Sequence, residues 1–254
     1  MEWYFYPILV AAGVLVGFIN TLAGSGSLIS LPLLMFMGLP ANVANGTNRI
    51  AILLQSLVGT SSFKRQKVFE WSEGIWLALP AVAGAIFGAI LAVDLDEKTM
   101  TRIIGGLMVF MFFMIILKPE AWVREHAGKV RSRPGIIQII IFFGIGLYGG
   151  FIQAGVGFFL LAGLVLGAGH NLIKANAIKN LVVLLYTPFA LAVFIINGQV
   201  DWIAGLVLAS GNMIGAWIAA RMAVKRGAGF VRIVLLIVVF AASLKFLGVF
   251  DLLK

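Results

Sequence analysis

Long apolar runs constrain this chain more than any other feature of its sequence. Stretches of roughly 18 or more apolar residues recur along it, and each is long enough to cross a bilayer core of about 30 Å. Only 11% of the residues are charged, against about 25% in soluble globular proteins. The chain is therefore predicted to be a multi-pass membrane protein of the all-α class, with little sequence left over for a soluble domain.

Charge and cysteine content exclude several other classes of protein. A net charge of +9 would suggest nucleic-acid binding in a soluble protein. In a membrane protein Lys and Arg collect in cytoplasmic loops, so no nucleic-acid partner is predicted. The chain contains no cysteine, which removes thiolate metal sites and iron–sulfur clusters. His126 and His170 fall in loops, and no cofactor or metal site is predicted.

The sequence repeats itself at a constant shift of 131 residues. Glycine matches alone carry little weight, because glycine is frequent in membrane helices; the asparagine and tryptophan matches are harder to explain by chance. The coinciding pairs are Gly24 and Gly155, Gly26 and Gly157, Gly38 and Gly169, Asn45 and Asn176, Trp71 and Trp202, Gly74 and Gly205, and Gly84 and Gly215. We predict two transmembrane repeats, residues 1–117 and 136–254, joined by a basic linker at 118–135.

Loop charges predict how the two repeats are oriented. The loop at 64–67 is basic, whereas its counterpart at 197–200 contains no Lys or Arg. The loop at 94–97 is acidic, whereas its counterpart at 223–229 is basic. Because Lys and Arg mark cytoplasmic loops, the two halves are predicted to face opposite ways across the membrane. The strongly basic linker 118–135 is placed in the cytoplasm, and both termini are placed outside.

Two breaks interrupt the apolar segments at corresponding places. Residues 24–27 read Gly-Ser-Gly-Ser and residues 155–157 read Gly-Val-Gly, and a short apolar piece follows each of them. The predicted fold is an all-α polytopic membrane protein of two inverted-topology repeats, with about eight full transmembrane helices plus two short broken or re-entrant helices. Inverted repeats with interrupted helices in corresponding positions are typical of secondary transporters, whose substrate site lies near the bilayer midplane.

Each repeat carries a polar stripe with one cation on the long span that follows the break. The stripes are Asn45, Asn48 and Arg49 in the first copy, and Asn176, Lys179 and Asn180 in the second. Spacings of three and four residues place each stripe on one helix face. An intramembrane Arg or Lys costs at least about 2.5–3.5 kcal/mol on insertion scales, so it is functional by default. The competing interpretation is that Arg49 and Lys179 reach the lipid headgroups.

The two glycine-rich breaks are candidates for an anion site. Glycines allow backbone N–H groups to converge, and a helix N-terminus adds a partial positive charge of about half a unit. No Asp or Glu lies deep in any predicted span, which argues against cation transport. Close helix packing is the alternative explanation for the glycines. The predicted substrate-binding residues are Asn20, Gly24, Ser25, Gly26, Ser27, Gln153, Gly155 and Gly157, together with the two polar stripes.

Three motifs in the first half point to a known family. They are the loop and apolar run Gly24-Ser-Gly-Ser-Leu-Ile-Ser-Leu-Pro-Leu-Leu34, the turn Gly38-Leu-Pro40 and the helix start Ala44-Asn-Gly-Thr-Asn48. Together they resemble the TauE/SafE family of sulfite and organosulfonate exporters, which are bacterial membrane transporters. The second half carries a weaker copy of the same pattern, and the resemblance covers most of the chain.

The resemblance implies a transporter that exports sulfite or a related organosulfur anion, such as sulfoacetate, across the bacterial inner membrane. Together with the inverted repeats, it predicts alternating access, with a small anion and the lipid bilayer as partners. An importer or a channel for another small anion or sulfur compound on the same fold remains the alternative. Small-residue faces on several spans are compatible with a homodimer, but they serve internal packing equally well.

Other functional classes fit the sequence less well. An intramembrane hydrolase with Ser25 or Ser27 as nucleophile lacks a membrane-embedded His or Asp to activate the serine, so the chain is predicted not to be an enzyme. A redox relay is disfavoured by the absence of cysteine. A purely structural subunit is disfavoured by the buried cationic stripes.

Overall fold

The computed structural model describes residues 5–117 and 135–246, so most of the predicted linker and both chain ends lie outside the described residues. The described part is helical and contains no strand. Its α-helices are α1 (Phe5–Ala23), α2 (Ser27–Phe36), α3 (Ala41–Arg65), α4 (Trp71–Val93), α5 (Glu97–Leu117), α6 (Ile136–Phe151), α7 (Val156–Ala162), α8 (Leu172–Ile196) and α9 (Trp202–Phe246). A π-helical turn, Gly163–Gly167, continues α7.

Helix boundaries and backbone turns recur at the shift found in the sequence. Adding 131 to the bounds of α3, Ala41–Arg65, yields the bounds of α8, Leu172–Ile196. The same shift relates residues with left-handed backbone, where φ is positive: Gly24 with Gly155, Gly38 with Gly169, and Lys67 with Gly198. Each of these positions ends one helix and redirects the chain towards the next, so the two halves turn at equivalent places.

Four of the helices are clearly long and apolar enough to cross a membrane. These are Phe5–Ala23, Trp71–Val93, Leu172–Ile196 and the part of α9 from Trp202 to Gly227. α3 has 25 residues and would be about 37 Å long, but its buried polar stripe lowers its hydropathy. α2, α6 and the segment Val156–Gly167 are shorter apolar helices. The described residues therefore contain four clear apolar spans, as expected of a helical membrane protein.

The structure corrects one predicted loop and defines the first residues of two helices. The predicted loop at 223–229 is instead a break at one residue, Gly227, whose φ of 77° and ψ of −177° interrupt α9. α5 begins at Glu97 because Asp96 accepts hydrogen bonds from the hydroxyl and N–H of Thr99, which also lowers the pKa of the Asp96 carboxyl. α8 begins at Leu172, since Asn171 caps it.

Small residues allow helices of different halves to pack closely. α4 packs against α6, and α1 packs against α9. A Cβ atom on Gly84 would lie 2.1 Å from the Phe143 carbonyl oxygen in α6. In the other pair, a Cβ atom on Gly215, the equivalent of Gly84, would lie 2.0 Å from the Val14 carbonyl oxygen in α1. α3 and α8, which carry the polar stripes, pack against each other between these two pairs.

The charged loops separate to two ends of the bundle, which we call the basic end and the acidic end. At the basic end the Gln66 amide donates to the Ala220 carbonyl at 3.4 Å, which joins the end of α3 to α9. At the acidic end the Gln199 amide donates to the Val93 carbonyl at 3.0 Å. The basic end carries Lys64, Arg65, Lys174, Arg221 and Lys225, and the acidic end carries Asp94, Asp96, Glu97 and Asp201.

Candidate functional site

The two helix breaks cross each other at the centre of the protein. The Gly157 N–H donates to the Gly24 carbonyl oxygen at 3.2 Å. A Cβ atom on Gly157 would lie 2.2 Å from the Gly24 Cα, and one on Gly24 would lie 2.3 Å from the Gly157 Cα. Real Cβ atoms do not approach backbone this closely, so both positions require glycine. The breaks that the sequence places far apart are therefore in direct backbone contact.

Arg49 of α3 lies fully buried at the end of α6. Its Nη1 donates to the Gly149 carbonyl at 3.0 Å, and its Nη2 donates to the Gly150 carbonyl at 2.6 Å. Longer contacts of 3.4 Å reach the Phe151 carbonyl and the Gln153 side chain. The guanidinium thus binds the free carbonyl groups at the C-terminus of α6, where a helix presents a partial negative charge. Arg49 does not reach the lipid headgroups.

Lys179 of α8 takes the equivalent place at the end of α1. Its Nζ donates to the Thr21 carbonyl at 2.8 Å, to the Asn20 carbonyl at 3.0 Å and to the Asn176 side chain at 2.7 Å. The side chain is 2% exposed, so the snorkelling interpretation is wrong for Lys179 as well. Each half of the protein therefore places a cation on the broken helix of the other half.

Neither buried cation has a carboxylate partner within the described residues. The ion pairs found there are Lys64 with Glu70 and Lys174 with Glu73, both towards the basic end. Each end of a helix carries about half a unit of charge, so the carbonyl groups offset only part of the charge on Arg49 or Lys179. The Phe194 ring, whose centroid lies 4.5 Å from the Arg49 guanidinium carbon, adds a cation–π contact. The centre of the bundle therefore keeps an excess of positive charge.

Buried hydrogen-bond donors around the first break have no partner within the described part of the protein. The hydroxyls of Ser25 and Ser27, 3% and 1% exposed, make no hydrogen bond. The Asn48 side-chain oxygen accepts from Ser30 at 2.7 Å, while its amide nitrogen is unpartnered. The Nε of Arg49 is also unpartnered. A buried polar group without a partner costs stability unless a ligand or water satisfies it.

The remaining predicted residues have structural partners. Asn45 donates to the Phe151 carbonyl at 2.8 Å, next to Arg49. Asn176 and Asn180 donate to carbonyls one turn earlier in α8, those of Leu172 and Asn176. In the second break, a Cβ atom on Gly155 would lie 2.4 Å from the Met111 side chain. In the first, a Cβ atom on Gly26 would meet α1, 2.4 Å from the Val16 carbonyl oxygen.

An amide network joins α1, α3 and α9 and includes Asn212, which sequence reasoning missed. The Asn20 and Asn212 amides both donate to the Gln55 side-chain oxygen at 3.2 Å. The Asn212 side-chain oxygen is unpartnered and its side chain is fully buried. Its position among the apolar residues of α9 was the signal available in the sequence, because a polar residue inside a span usually faces the bundle interior.

A second side-chain cluster lies beside Arg49. The Gln153 side chain accepts from Arg49 and donates to the Tyr186 and Thr187 hydroxyls at 3.3 and 3.4 Å. Tyr186 is fully buried and was not among the predicted site residues. The second break is thereby held to α8 and α3 through Gln153.

Broken apolar helices whose ends bind buried cations are features of membrane transport proteins. The comparisons with known proteins agree with this class. The sequence profile described as "Sulfite exporter TauE/SafE" matches residues 9–246. The chain belongs to the TauE/SafE family, as the motifs in the first half indicated.

Curated relatives match almost the whole chain. The "Probable membrane transporter protein ORF9" of Sinorhizobium sp is 29% identical over 249 residues, which cover 98% of this chain and 94% of that protein. The "Probable membrane transporter protein YfcA" of Escherichia coli K12 is 29% identical over 241 residues, covering 94% of this chain and 88% of that protein. No solved structure matches the chain significantly. The relatives support a membrane transporter with a small-molecule substrate.

Proposed function

We propose that this protein is a secondary transporter that exports sulfite, or a related organosulfur anion such as sulfoacetate, across the bacterial inner membrane. The observation that carries the proposal is the pair of buried cations, Arg49 and Lys179, which have no carboxylate partner within the described residues. They lie at the ends of two broken helices that meet through Gly24 and Gly157. The family name adds the class of substrate.

The charges and donors at this centre favour an anion over other small molecules. Positive charge is left over where the carbonyl groups only partly offset each cation. The unpartnered groups there include two serine hydroxyls, the Asn48 amide and the Arg49 Nε, all of which are able to donate a hydrogen bond. Sulfite and sulfonates present several acceptor oxygens, so they satisfy such donors together. A cation or a neutral apolar molecule would leave them unsatisfied.

The first break is the stronger half of the proposed site. α2 has 10 residues, and its N-terminus adds a partial positive charge beside Ser25 and Ser27. In the second break the Gly157 N–H already binds the Gly24 carbonyl. We propose that Gly24, Gly155 and Gly157 shape the crossing, while Ser25, Ser27, Asn48 and Arg49 contact the anion. Lys179 then adds positive potential, and Asn45, Asn176 and Asn180 orient these groups.

The repeat provides a mechanism for alternating access. We propose that residues 1–117 and 136–254 are inverted repeats, joined by a cytoplasmic linker at 118–135, and that the basic end faces the cytoplasm. In support, Lys67 and Gly198 are equivalent under the shift of 131 but lie beside opposite ends of the bundle, as the Gln66 and Gln199 contacts indicate. Rocking one repeat against the other about the glycine crossing would then expose the anion to each side in turn.

The membrane potential is sufficient to drive export. With the cell interior negative, moving one negative charge outward is favourable by about 2.3 kcal/mol per 100 mV. A coupling ion is therefore unnecessary, and no carboxylate in the described spans is needed to bind one. An importer or a channel for another small anion is the second candidate, because the same site would serve either direction of flow.

The test is charge movement in proteoliposomes that contain the purified protein. Sulfite, sulfoacetate, thiosulfate and chloride are added in turn, and protein-free liposomes of the same lipid serve as the control. We expect a current with sulfite or the sulfonate and none with chloride. A chloride current of equal size would favour an unselective channel, and inward accumulation against the potential would favour a coupled importer. If folded protein produced neither current nor tracer exchange with any of these anions, the proposal would be wrong.

A further inference from the structure

A groove of about 520 Å³ opens between α3 and α9 at the basic end and shares no residue with the crossing of the two breaks. The two helices run parallel. The Asp201 N–H donates to the Thr47 hydroxyl at 2.8 Å near their starts, and the Gln66 amide contacts the Ala220 carbonyl near the basic end. The lining residues are Leu57, Val58, Ser61, Ser62, Arg65, Gln66, Trp217, Arg221 and Lys225. We call this the basic groove.

Two stripes of side chains form the walls of the basic groove. One is Leu57, Ser61 and Arg65 on α3, and the other is Trp217, Arg221 and Lys225 on α9. Members of each stripe are four residues apart, so they share one helix face, and each stripe extends about 12 Å along its helix. Both stripes change in the same direction, from an apolar residue inside the span to a cation at the basic end.

The three cations of the basic groove are free of carboxylates. The acidic residues nearby are already paired, Glu70 with Lys64 at 3.0 Å and Glu73 with Lys174 at 2.5 Å. Arg65, Arg221 and Lys225 have no ion pair within the described residues. The Arg221 guanidinium instead stacks 4.0 Å from the centroid of the Trp217 ring. Three cations thus share one small space, where they repel one another unless an anion joins them.

The apolar part of the basic groove opens sideways. Leu57 is 48% exposed and Trp217 is 45% exposed, and each lies about two helical turns inside the last cation of its stripe, on α3 and α9. Exposed apolar side chains inside an apolar helix face lipid tails, whereas the long side chains of Arg and Lys nearer the helix end reach the headgroup region. The groove therefore joins the acyl layer to the headgroup layer, with cations only at the headgroup end.

We propose that the basic groove binds an anionic phospholipid, with its phosphate among the three cations and its acyl chains along the apolar walls. Basic pockets between membrane helices on the cytoplasmic side suit such headgroups. A soluble anion would satisfy the cations but would make no contact with the apolar walls. A zwitterionic lipid would carry its own cation into the cluster. The proposal does not depend on transport, since the groove and the glycine crossing share no residue.

The test is native mass spectrometry of the full chain in detergent, with phosphatidylglycerol or phosphatidylcholine of identical acyl chains added. The test variant is Arg65→Gln with Arg221→Gln. The matched control is Lys67→Gln with Arg226→Gln, which removes the same charge at the same end without touching the groove. We take about 1 kcal/mol of attraction for each cation that contacts the bound headgroup, so we expect the test variant to bind phosphatidylglycerol about 30-fold more weakly. The control variant should bind it as the unchanged protein does.

Three results would overturn the proposal. Equal binding of phosphatidylcholine would remove the charge argument. Equal displacement of the lipid by inorganic phosphate or glycerol phosphate would assign the groove to a soluble anion. Equal weakening in both variants would show a general effect of net charge. All four substituted residues are on the protein surface at exposed positions, and size-exclusion profiles matching the unchanged protein establish that the variants fold.

Discussion

At the scale of single residues, the two central cations have two tasks that follow from one geometry. Arg49 and Lys179 each bind the carbonyl groups that a broken helix leaves free. Without a cation, those buried carbonyl groups would lack a donor. Because carbonyl groups offset only part of the cation's charge, the same side chain still attracts an anion. If the anion binds at this centre, as we propose, each cation both holds a broken helix and attracts the substrate.

Two replacements of Arg49 should separate the effect of its charge from the effect of its hydrogen-bond geometry. Arg49→Gln removes the cation and most of the bonds to α6, so we expect no anion flux and a Tm in detergent lower by roughly 5–10 °C. Arg49→Lys keeps the charge but loses the forked donors. We expect it to retain measurable flux and to lose about half as much in Tm. Flux is measured in proteoliposomes, and Tm by a thermal shift of the purified protein.

Arg102 provides the control for both Arg49 replacements. It is exposed on α5, so the same two substitutions there should leave Tm and flux unchanged. Wild-type flux in Arg49→Gln would exclude Arg49 from the anion site. Loss of flux in Arg49→Lys equal to that in Arg49→Gln would mean that geometry matters and charge does not.

Replacing each of three buried serines should distinguish hydroxyls that contact the substrate from hydroxyls that bond within the protein. The Ser25 and Ser27 hydroxyls are unpartnered, whereas the Ser30 hydroxyl donates to Asn48 at 2.7 Å. Removing an unpartnered hydroxyl takes no hydrogen bond from the protein. We therefore expect Ser25→Ala and Ser27→Ala to keep the wild-type Tm but to raise the KM for the anion about tenfold each, the effect of one lost hydrogen bond to a charged group. Initial flux against anion concentration measures KM.

Ser30→Ala is the matched contrast. It breaks a buried hydrogen bond within the protein, so we expect a Tm lower by a few degrees and a smaller change in KM. If the Ser25 and Ser27 replacements lowered Tm as Ser30→Ala does, while KM stayed constant, their hydroxyls would be structural and the anion would lie elsewhere.

At the scale of elements, the two broken helices are joined at a single crossing. Gly24 and Gly157 touch through their backbones, and no side chain fits between them. The short helices α2 and α7 begin on either side of this point. Because the crossing is narrow and has one backbone hydrogen bond, it suits a pivot about which the two halves move in relation to each other.

Gly157→Ala tests the crossing by steric effect alone, since φ at Gly157 is not in the left-handed range. Its Cβ would lie 2.2 Å from the Gly24 Cα, and backbone atoms cannot move aside as a flexible side chain can. We expect a large loss of monodisperse protein on size exclusion, and no flux from what remains. Gly106→Ala is the control: its Cβ meets nothing within 4 Å, and alanine favours helix by up to about 1 kcal/mol. A Gly157→Ala protein with normal Tm and flux would show that the two breaks separate freely.

At the scale of the whole molecule, the sequence predicted helix positions better than side-chain partners. The shift of 131 residues located the breaks and the helix bounds, because apolar periodicity and glycine turns are local signals. The sequence did not predict that the Arg49 side chain binds the end of α6, because that contact joins residues 100 apart in the chain. Asn212 stands out in the sequence as a polar residue in an apolar span, but its contact with Gln55, 157 residues away, does not. The single-residue break at Gly227 was read as a loop because the neighbouring basic residues hid the helix on both sides.

The separation of charge between the two ends bears on membrane orientation. Positive charge predominates at one end and negative charge at the other, although Glu70 and Glu73 form ion pairs at the basic end, so the positive-inside rule gives one preferred orientation for the folded bundle. If the repeats are inverted, equivalent loops of the two halves must be on opposite sides of the membrane. Lys67 and Gly198 are such a pair. Both have left-handed backbone, with φ of 57° and 66°, so a new side chain meets similar strain at each.

Cysteine labelling in intact cells tests this arrangement without background, because the chain has no cysteine of its own. Lys67→Cys and Gly198→Cys are made separately, and cells are treated with a membrane-impermeant maleimide before and after permeabilisation. We expect Gly198→Cys to react in intact cells and Lys67→Cys to react only after permeabilisation. The reverse pattern would keep the inverted repeats but turn the protein over, which would place the basic groove outside the cell. If both residues reacted from the same side, the repeats would not be inverted, and rocking about the glycine crossing would lose its structural basis.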